Sequence, residues 1–487
     1  MRKTIQNLPA LIMLSIFVGV FLFMSLGSIF ASEFWYDEAF TGIVIRQDWG
    51  EMFKLLQGDV HPPLYYTGLK LYSMSGAGGD GLLRSFSILA GIGLILIAYF
   101  LTKKITESRR TSLAAAFVFA VNPFILQYAT EARMYTWVAL FVLVGFYFFL
   151  DAIKVEKLKP DKNWYLATLF FSLAFLTHYI SVFVIFILWL ASLFILNKKV
   201  KVFSNLGKYF IFYFRSYLPL IITLILWVSY FHNHIKKAIF WIPPVNIWSI
   251  PEMFYAWLLG TEAKVAGVPK VNELALTLDI KVIFVILTVV IVWLLSVLIF
   301  RNHSANRKDV ILLAVTWLFP LLFLFFGSWF GIFNMFVSRY FLPVASFFLI
   351  SFIILLARYY KKVLLWVFLF FYMIAMFLVN YKLPETHFAE LAAIIEENAP
   401  AENLVFGDGY SLVITKYYLG NDDEDRILLY NIDDPYEDFD SWQVINNKMR
   451  LLEVEDIPEG SLIIAQKDFS EEYSKINEFW NYGFYKK

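Results

Sequence analysis

Carboxylates and guanidinium groups stand at five places where long apolar stretches of this sequence begin or end. Asp37-Glu38, in Trp35-Tyr36-Asp37-Glu38-Ala39-Phe40, comes just after the first such stretch. A carboxylate at an apolar boundary is costly unless it is paired or working, and there it can serve as a proton acceptor. Next comes Gly58-Asp59-Val60-His61-Pro62-Pro63-Leu64, whose two prolines fix φ and hold Asp59 and His61 at the start of the following element. Arg84 sits in Leu83-Arg84-Ser85-Phe86-Ser87 at the head of the second stretch. Glu131 and Arg133 lie in Tyr128-Ala129-Thr130-Glu131-Ala132-Arg133-Met134-Tyr135, and Arg339-Tyr340 lies in Ser338-Arg339-Tyr340-Phe341-Leu342-Pro343. A guanidinium presents a planar fork of donors suited to carboxylate or phosphate. Glu131 and Arg133 are too close in sequence to face each other on one helix, so each needs a partner elsewhere. Asp37, Glu38, Asp59 and His61 are also the oxygen and imidazole donors a divalent metal would take, which leaves that alternative open. With no Cys, thiol catalysis and thiolate metal sites are excluded. His178, His232 and His234 read as isolated or loop residues.

Each feature has a plainer reading: boundary charges mark where water begins, and an Arg at a helix end can snorkel. What weighs against it is the arrangement of the elements. The sequence is 60% hydrophobic and only 17% charged, with 52 Phe, 28 Tyr and 15 Trp. That apolar area excludes a disordered chain, a soluble cytosolic enzyme and a nucleic-acid binder driven by a basic field. About 20 apolar residues cross a bilayer. Runs of that kind fall near 8–31, 82–102, 111–128, 134–152, 164–177, 179–196, 217–231, 282–300, 310–327, 340–357 and 363–380. The expectation is an all-α polytopic membrane protein of about eleven helices in residues 1–380, with His178–Tyr179 as a tight turn and Leu64–Met74 as an interfacial helix. Six modest loops hold 21 Lys and Arg, from Arg2-Lys3 to Arg358, Lys361 and Lys362, whereas the long loops near 31–81 and 232–281 together hold more acids than bases. Basic residues stay cytoplasmic. The N-terminus is therefore expected inside a plasma membrane, and all five clusters fall on the outer face.

The remainder, 381–487, changes in texture. Residues 1–380 hold 32 basic and 17 acidic residues, a balance of +15, whereas 381–487 hold 9 and 23, a balance of −14. Helical spacing at His387–Asn398 and Tyr410–Leu419, with strand patterns at Asn403–Gly407, Arg426–Tyr430 and Ser461–Gln466, predicts a small extracytoplasmic α/β domain. The acidic stretches Asn421–Asp425 and Asp433–Asp440 read as a solvated face rather than calcium loops.

These motifs resemble the GT-C glycosyltransferases, and most of all the protein O-mannosyltransferase family and its prokaryotic relatives that use a polyprenyl-phosphate sugar. In that family an Asp-Glu pair opens the first outer loop, similar to Asp37-Glu38. An Asp-x-His-Pro-Pro-Leu segment follows, similar to Asp59 through Leu64. An Arg-x-x-Ser-x-x-x-Gly-like setting resembles Arg84 with Gly91, and Glu131-Ala132-Arg133-Met134-Tyr135 and Arg339-Tyr340-Phe341-Leu342-Pro343 resemble later motifs. The resemblance covers about residues 1–360. It departs where eukaryotic members carry Gly-Lys after Pro-Pro-Leu, since this chain has Tyr65-Tyr66. Loop 232–281 is also too short for their inserted β-trefoil.

The resemblance implies inverting transfer of mannose or a similar hexose or pentose, from a polyprenyl-phosphate donor to an acceptor hydroxyl on protein, glycan or lipid. Asp37 would be the base, with Glu38 orienting it or binding the acceptor, and Asp59, with His61 hydrogen-bonded near it, orienting acceptor or sugar. Arg84, Arg339, Arg133 and the loop residues Lys236 and Lys237 would serve the donor phosphate, with Glu131, Tyr135 and Tyr340 in the substrate site. No cofactor is required in that reading, and membrane lipids are the other partners. Two other readings compete. A transporter or flippase of a lipid-linked saccharide should carry mid-membrane charges and broken helices in matched halves, and a scaffold would leave the outer carboxylates without a task.

Overall fold

A computed structural model of the chain describes residues 2–29, 33–76, 79–154, 159–200, 206–222, 242–260 in most part and 307–359, together with short stretches between 365 and 373 and segments of 387–486. In chain order the helices are α1 (Arg2–Ile29), α2 (Tyr36–Arg46), α3 (Trp49–Leu56), α4 (Leu64–Ser73), α5 (Asp80–Thr106), α6 (Arg109–Val121), α7 (Pro123–Ala129) and α8 (Tyr135–Ala152). They continue with α9 (Lys162–Thr177), α10 (Ser181–Val200), α11 (Leu206–Ser216), α12 (Ser249–Leu259), α13 (Arg307–Trp329), α14 (Leu342–Tyr359), α15 (Phe388–Asn398) and α16 (Gly409–Leu419). The strands are β1 (Leu404–Phe406), β2 (Ile427–Tyr430), β3 (Leu451–Leu452), β4 (Leu462–Ala465), β5 (Ser474–Phe479) and β6 (Tyr482–Lys486). Contacts divide the chain into two compact units. One comprises Met1–Ile29, Gly81–Ser229 and Ile242–Lys382; the other comprises Phe30–Asp80, Tyr230–Trp241 and Leu383–Lys487.

The first unit is helical. Five helices among the described residues are long and apolar enough to cross a membrane, or six when α6 and α7, bent by 55°, count as one span. The count of about eleven is not reached there: run 282–300 and most of 217–231 and 363–380 lie outside the described residues, and α9, at 16 residues, falls short of a full crossing. The expected division between residues 164 and 196 is present, because α9 ends at Thr177 and α10 starts at Ser181. The bundle is built from close helix pairs, α8 with α9, α1 with α6, and α14 with both α13 and α8. Gly91 shows why a small residue is needed in it. A Cβ there would run into the Phe21 ring of α1 and lie 3.2 Å from Ala129 of α7.

Asn122-Pro123 forms the hinge between α6 and α7. Asn122 Oδ1 accepts from Ile125 N at 3.0 Å, capping α7, and Pro123 takes the first helical position, where its missing N–H costs nothing. The turn follows at 130–134.

In the second unit, α2 to α4 fold together with the C-terminal residues. The sheet runs β3-β2-β1-β4-β6-β5; β1 pairs in parallel with β2 and β4, β2 with β3, and β6 runs antiparallel to β4 and β5. Leu404 to Phe406 and Leu462 to Ile464 are buried, as expected of strands covered on both faces. α16 packs on both α15 and α2. The sequence pattern anticipated both helices and three strands here; β3, β5 and β6 carry no clean alternation. The acidic stretches at 421–425 and 433–440 lie outside the described residues.

Candidate active site

In the helical unit the predicted cationic residues are built into the bundle. Arg84 and Arg133 are only 1% and 2% exposed. Arg84 Nη1 donates to Ile29 O at 3.2 Å, at the end of α1. Ser87, one turn further along the same face of α5, donates from Oγ to Arg133 O at 3.0 Å. Two more bonds fix the start of α8 to α5: Thr136 Oγ1 donates to Ser87 O at 3.2 Å and Trp137 Nε1 to Phe86 O at 3.1 Å. These fastenings bring the Arg84 and Glu131–Tyr135 motifs, distant in sequence, to one helix junction.

The same junction draws in the late motif. The Tyr128 hydroxyl faces Glu131, the Ser338 side chain and Arg339. The Tyr128 and Tyr135 rings stand 5.2 Å apart, Tyr135 lies 5.9 Å from His178, and His178 lies 5.1 Å from Tyr340. Arg339 lies 6.0 Å from the Tyr340 ring, at the outer limit for a cation over an aromatic face. His178, read as isolated, is thus the link between two predicted motifs. Its Nδ1 accepts from Ile180 N at 3.2 Å, so its neutral form carries the proton on Nε2. Only its place at a break in an apolar run could have hinted at this.

In the other unit, Asp37 and Glu38 occupy the first turn of α2, where the helix dipole favours negative charge. Glu38 is buried, and its Oε2 accepts from Trp35 N at 3.4 Å. Asp37 is half-buried, and its carbonyl accepts from Thr41 Oγ1 at 2.8 Å. The opposite end of α2 is held by Lys70, whose Nζ donates to Ile45 O at 2.8 Å and Gln47 O at 2.5 Å.

Asp59 and His61 meet as expected. His61 Nδ1 is 3.2 Å from Oδ2 of Asp59, and because a carboxylate only accepts, Nδ1 carries the proton. Tyr66, one of the two tyrosines that depart from the resembled motif, donates to Asp59 Oδ2 at 3.0 Å. Among the described residues no group of three or more His, Asp or Glu side chains could hold a metal ion. Of the four donors Asp37, Glu38, Asp59 and His61, Asp59 bonds His61 and Tyr66, and Glu38 bonds backbone. Lys236, Lys237, His232 and His234 lie outside the described residues.

Residues 60–228 match the model of the family described as dolichyl-phosphate-mannose-protein mannosyltransferase. No curated protein matches the chain by sequence. Two crystal structures of ArnT from Cupriavidus metallidurans are similar throughout. The structure bound to undecaprenyl phosphate has a TM-score of 0.62 and 10% identity, covering 98% of each chain. The apo structure has the same TM-score and identity, over 99% of this chain and 98% of that one. At such identity the likeness is one of fold. The long apolar helices among the described residues make the chain a multi-pass membrane protein, and its fold is similar to that of ArnT.

Proposed function

We propose that this protein transfers a sugar, mannose or a similar hexose or pentose, from a polyprenyl-phosphate donor to an acceptor hydroxyl at the outer membrane face. The acceptor is a protein, glycan or lipid. The observation that carries the reading is the junction in the helical unit, where the Arg84 and Arg133 side chains are both buried and Ser87 of α5 bonds the Arg133 backbone carbonyl. A guanidinium presents a planar fork of donors suited to phosphate oxygens, which is the kind of group a polyprenyl-phosphate donor brings. A donor of this class is in keeping with the undecaprenyl phosphate in the similar ArnT structure and with the dolichyl phosphate in the family description.

In this reading Asp37 removes the acceptor hydroxyl proton and the oxygen attacks the anomeric carbon from the face opposite the phosphate. The carbon–oxygen bond to phosphate breaks with its electron pair, and configuration inverts. Glu38 orients the base, and Asp59 with His61 holds acceptor or sugar. Charge growing on the departing phosphate is stabilised by Arg84 first, then by Arg339 and Arg133. Glu131, Tyr135 and Tyr340 shape the substrate site around them. The orientation follows the basic loops, with the N-terminus cytoplasmic and the C-terminal region outside.

The test is transfer of radiolabelled sugar from a polyprenyl-phosphate donor by purified, folded Asp37→Asn protein. Loss of a general base should lower turnover by about 10²–10⁴-fold. Full transfer by that variant would discard this mechanism.

A further inference from the structure

Helix α2 is only 11 residues long, and a helix of that length holds its place by packing rather than by intrinsic propensity. What packs on it comes from the far end of the chain. Tyr417 and Tyr418, adjacent on α16, grip the segment around α2 at several points. Phe34 N, just before the helix, donates to Tyr418 Oη at 2.7 Å, and the Phe34 ring stacks on Tyr417 with centroids 5.0 Å apart. In mid-helix Gly42 lies directly against the Tyr417 ring, where any side chain would collide. At its end Arg46 donates from Nη1 to Tyr417 O at 2.6 Å and lies 4.0 Å above the same ring. Glu33 adds a further tie, since its Oε2 accepts from Ala389 N at 3.1 Å, at the start of α15.

The two phenols have a common anchor. Tyr417 Oη donates to Asp80 Oδ1 at 2.8 Å and Tyr418 Oη to Asp80 Oδ2 at 2.6 Å. One carboxylate thus fixes both hydroxyls, each on its own oxygen, in a charge-assisted pair. Burial and the Asp80 charge raise the pKa of both phenols above the usual tyrosine value, which keeps them protonated as donors. The geometry is more than generic packing: two neighbouring side chains hold both ends and the middle of the one helix that carries Asp37 and Glu38.

We infer that Tyr417 and Tyr418 are positioning residues for the transfer reaction, so that the C-terminal region sets the placement from which α2 presents Asp37 and Glu38. This rests on the role proposed above for Asp37. A small displacement of a reacting group can cost a large factor in turnover, so the loss belongs in kcat rather than in donor affinity.

The experiment uses the full-length protein, with transfer kinetics and direct binding of the polyprenyl phosphate measured for Tyr417→Phe/Tyr418→Phe and, separately, Asp80→Asn. Phenylalanine keeps both rings and their packing on Gly42, Phe34 and Arg46 while removing the hydroxyl bonds. The expected result is a fall in kcat of about ten- to a hundredfold, beyond the drop in unfolding temperature that losing two bonds to a carboxylate brings, with KM for the donor and polyprenyl-phosphate affinity within about twofold of wild type. Asp80→Asn, which keeps one acceptor oxygen, should lose less than the double variant. An unchanged kcat in the double variant, beside an inactive Asp37→Asn protein, would overturn the positioning role and leave the mechanism standing. Parallel losses in kcat, donor binding and unfolding temperature would overturn it as well, since a merely structural contact behaves that way. Full transfer by Asp37→Asn would remove the mechanism and the positioning role with it.

Discussion

Among the candidate site residues, Asp59 shows how much one hydroxyl can matter. Its carboxylate is nearly fully buried and takes bonds from His61 Nδ1 and Tyr66 Oη. Hydrogen bonds to a buried charge stabilise more than neutral ones, so Tyr66→Phe should cost about 1.5–3 kcal/mol. Thermal unfolding of the purified protein would register it as a clear drop in Tm, and a Tm equal to wild type would mean that the tyrosine bond contributes nothing. The Asp59–His61 half of this arrangement was legible in the sequence, because two residues and two following prolines leave the pair little freedom to separate. Tyr66 was not. It lies seven residues on, beyond the start of α4, and only the curvature of the chain through Pro62-Pro63 turns it back. His178 was illegible for a stronger reason: its ring neighbours, Tyr135 and Tyr340, are remote in sequence, and no local pattern encodes such a meeting.

For the helices and strands, the apolar runs predicted most positions well, because length and composition alone decide whether a helix suits a bilayer. They did not reveal what breaks a helix or why. Asn122, at the break between α6 and α7, shows the physical cause of one such break. While Oδ1 caps α7, Nδ2 donates to Trp257 O at 2.9 Å and to Tyr372 Oη at 2.7 Å, and the Tyr372 hydroxyl donates a hydrogen bond to Leu258 O at 2.8 Å. One amide therefore joins the α6–α7 break to the end of α12 and to a third segment. Asn122→Ala removes the cap and strands buried acceptors, an expected loss of about 2–4 kcal/mol. Asn122→Asp keeps the cap but has no donors to give, and it adds a buried charge. Ranking by Tm in detergent should place both variants well below wild type; an alanine variant as stable as wild type would contradict the bridging role. The strands β3, β5 and β6 were missed for the converse reason. β3 is two residues long, and β5, Ser474–Phe479, has a register shift between Lys475 and Asn477 that breaks its alternation.

For the whole molecule, the packing of α16 on α2 restricts topology in a way that no count of apolar runs can. Residues 33–80 and 387–419 share one compact unit, stitched by the bonds from Phe34, Arg46 and Asp80 to Tyr417 and Tyr418. Side chains in hydrogen-bonding contact cannot lie on opposite sides of a bilayer, so the chain must cross an even number of times between Asp80 and Leu383. With α1 added as a crossing, the expected total is odd, in keeping with the sequence expectation of about eleven. The shared unit puts the first loop and the C-terminal region on one side, and the basic loops lead to the expectation that this side is extracytoplasmic. The basic loops number six with 21 Lys and Arg, against a C-terminal balance of −14, and moving such loops outward would oppose the usual retention of positive charge in the cytoplasm. The absence of Cys makes the prediction easy to test, since any introduced thiol is the sole target. Exposed positions suited to it are Ser75 and Glu459 in the second unit and Glu107 between α5 and α6. In right-side-out vesicles a membrane-impermeant maleimide should label Ser75→Cys and Glu459→Cys at once, and Glu107→Cys only after permeabilisation. Labelling of Ser75→Cys and Glu459→Cys on opposite sides would break the parity argument. Labelling of Glu107→Cys alone in sealed vesicles would invert the orientation and place Asp37 on the wrong side for a sugar transfer at the outer face.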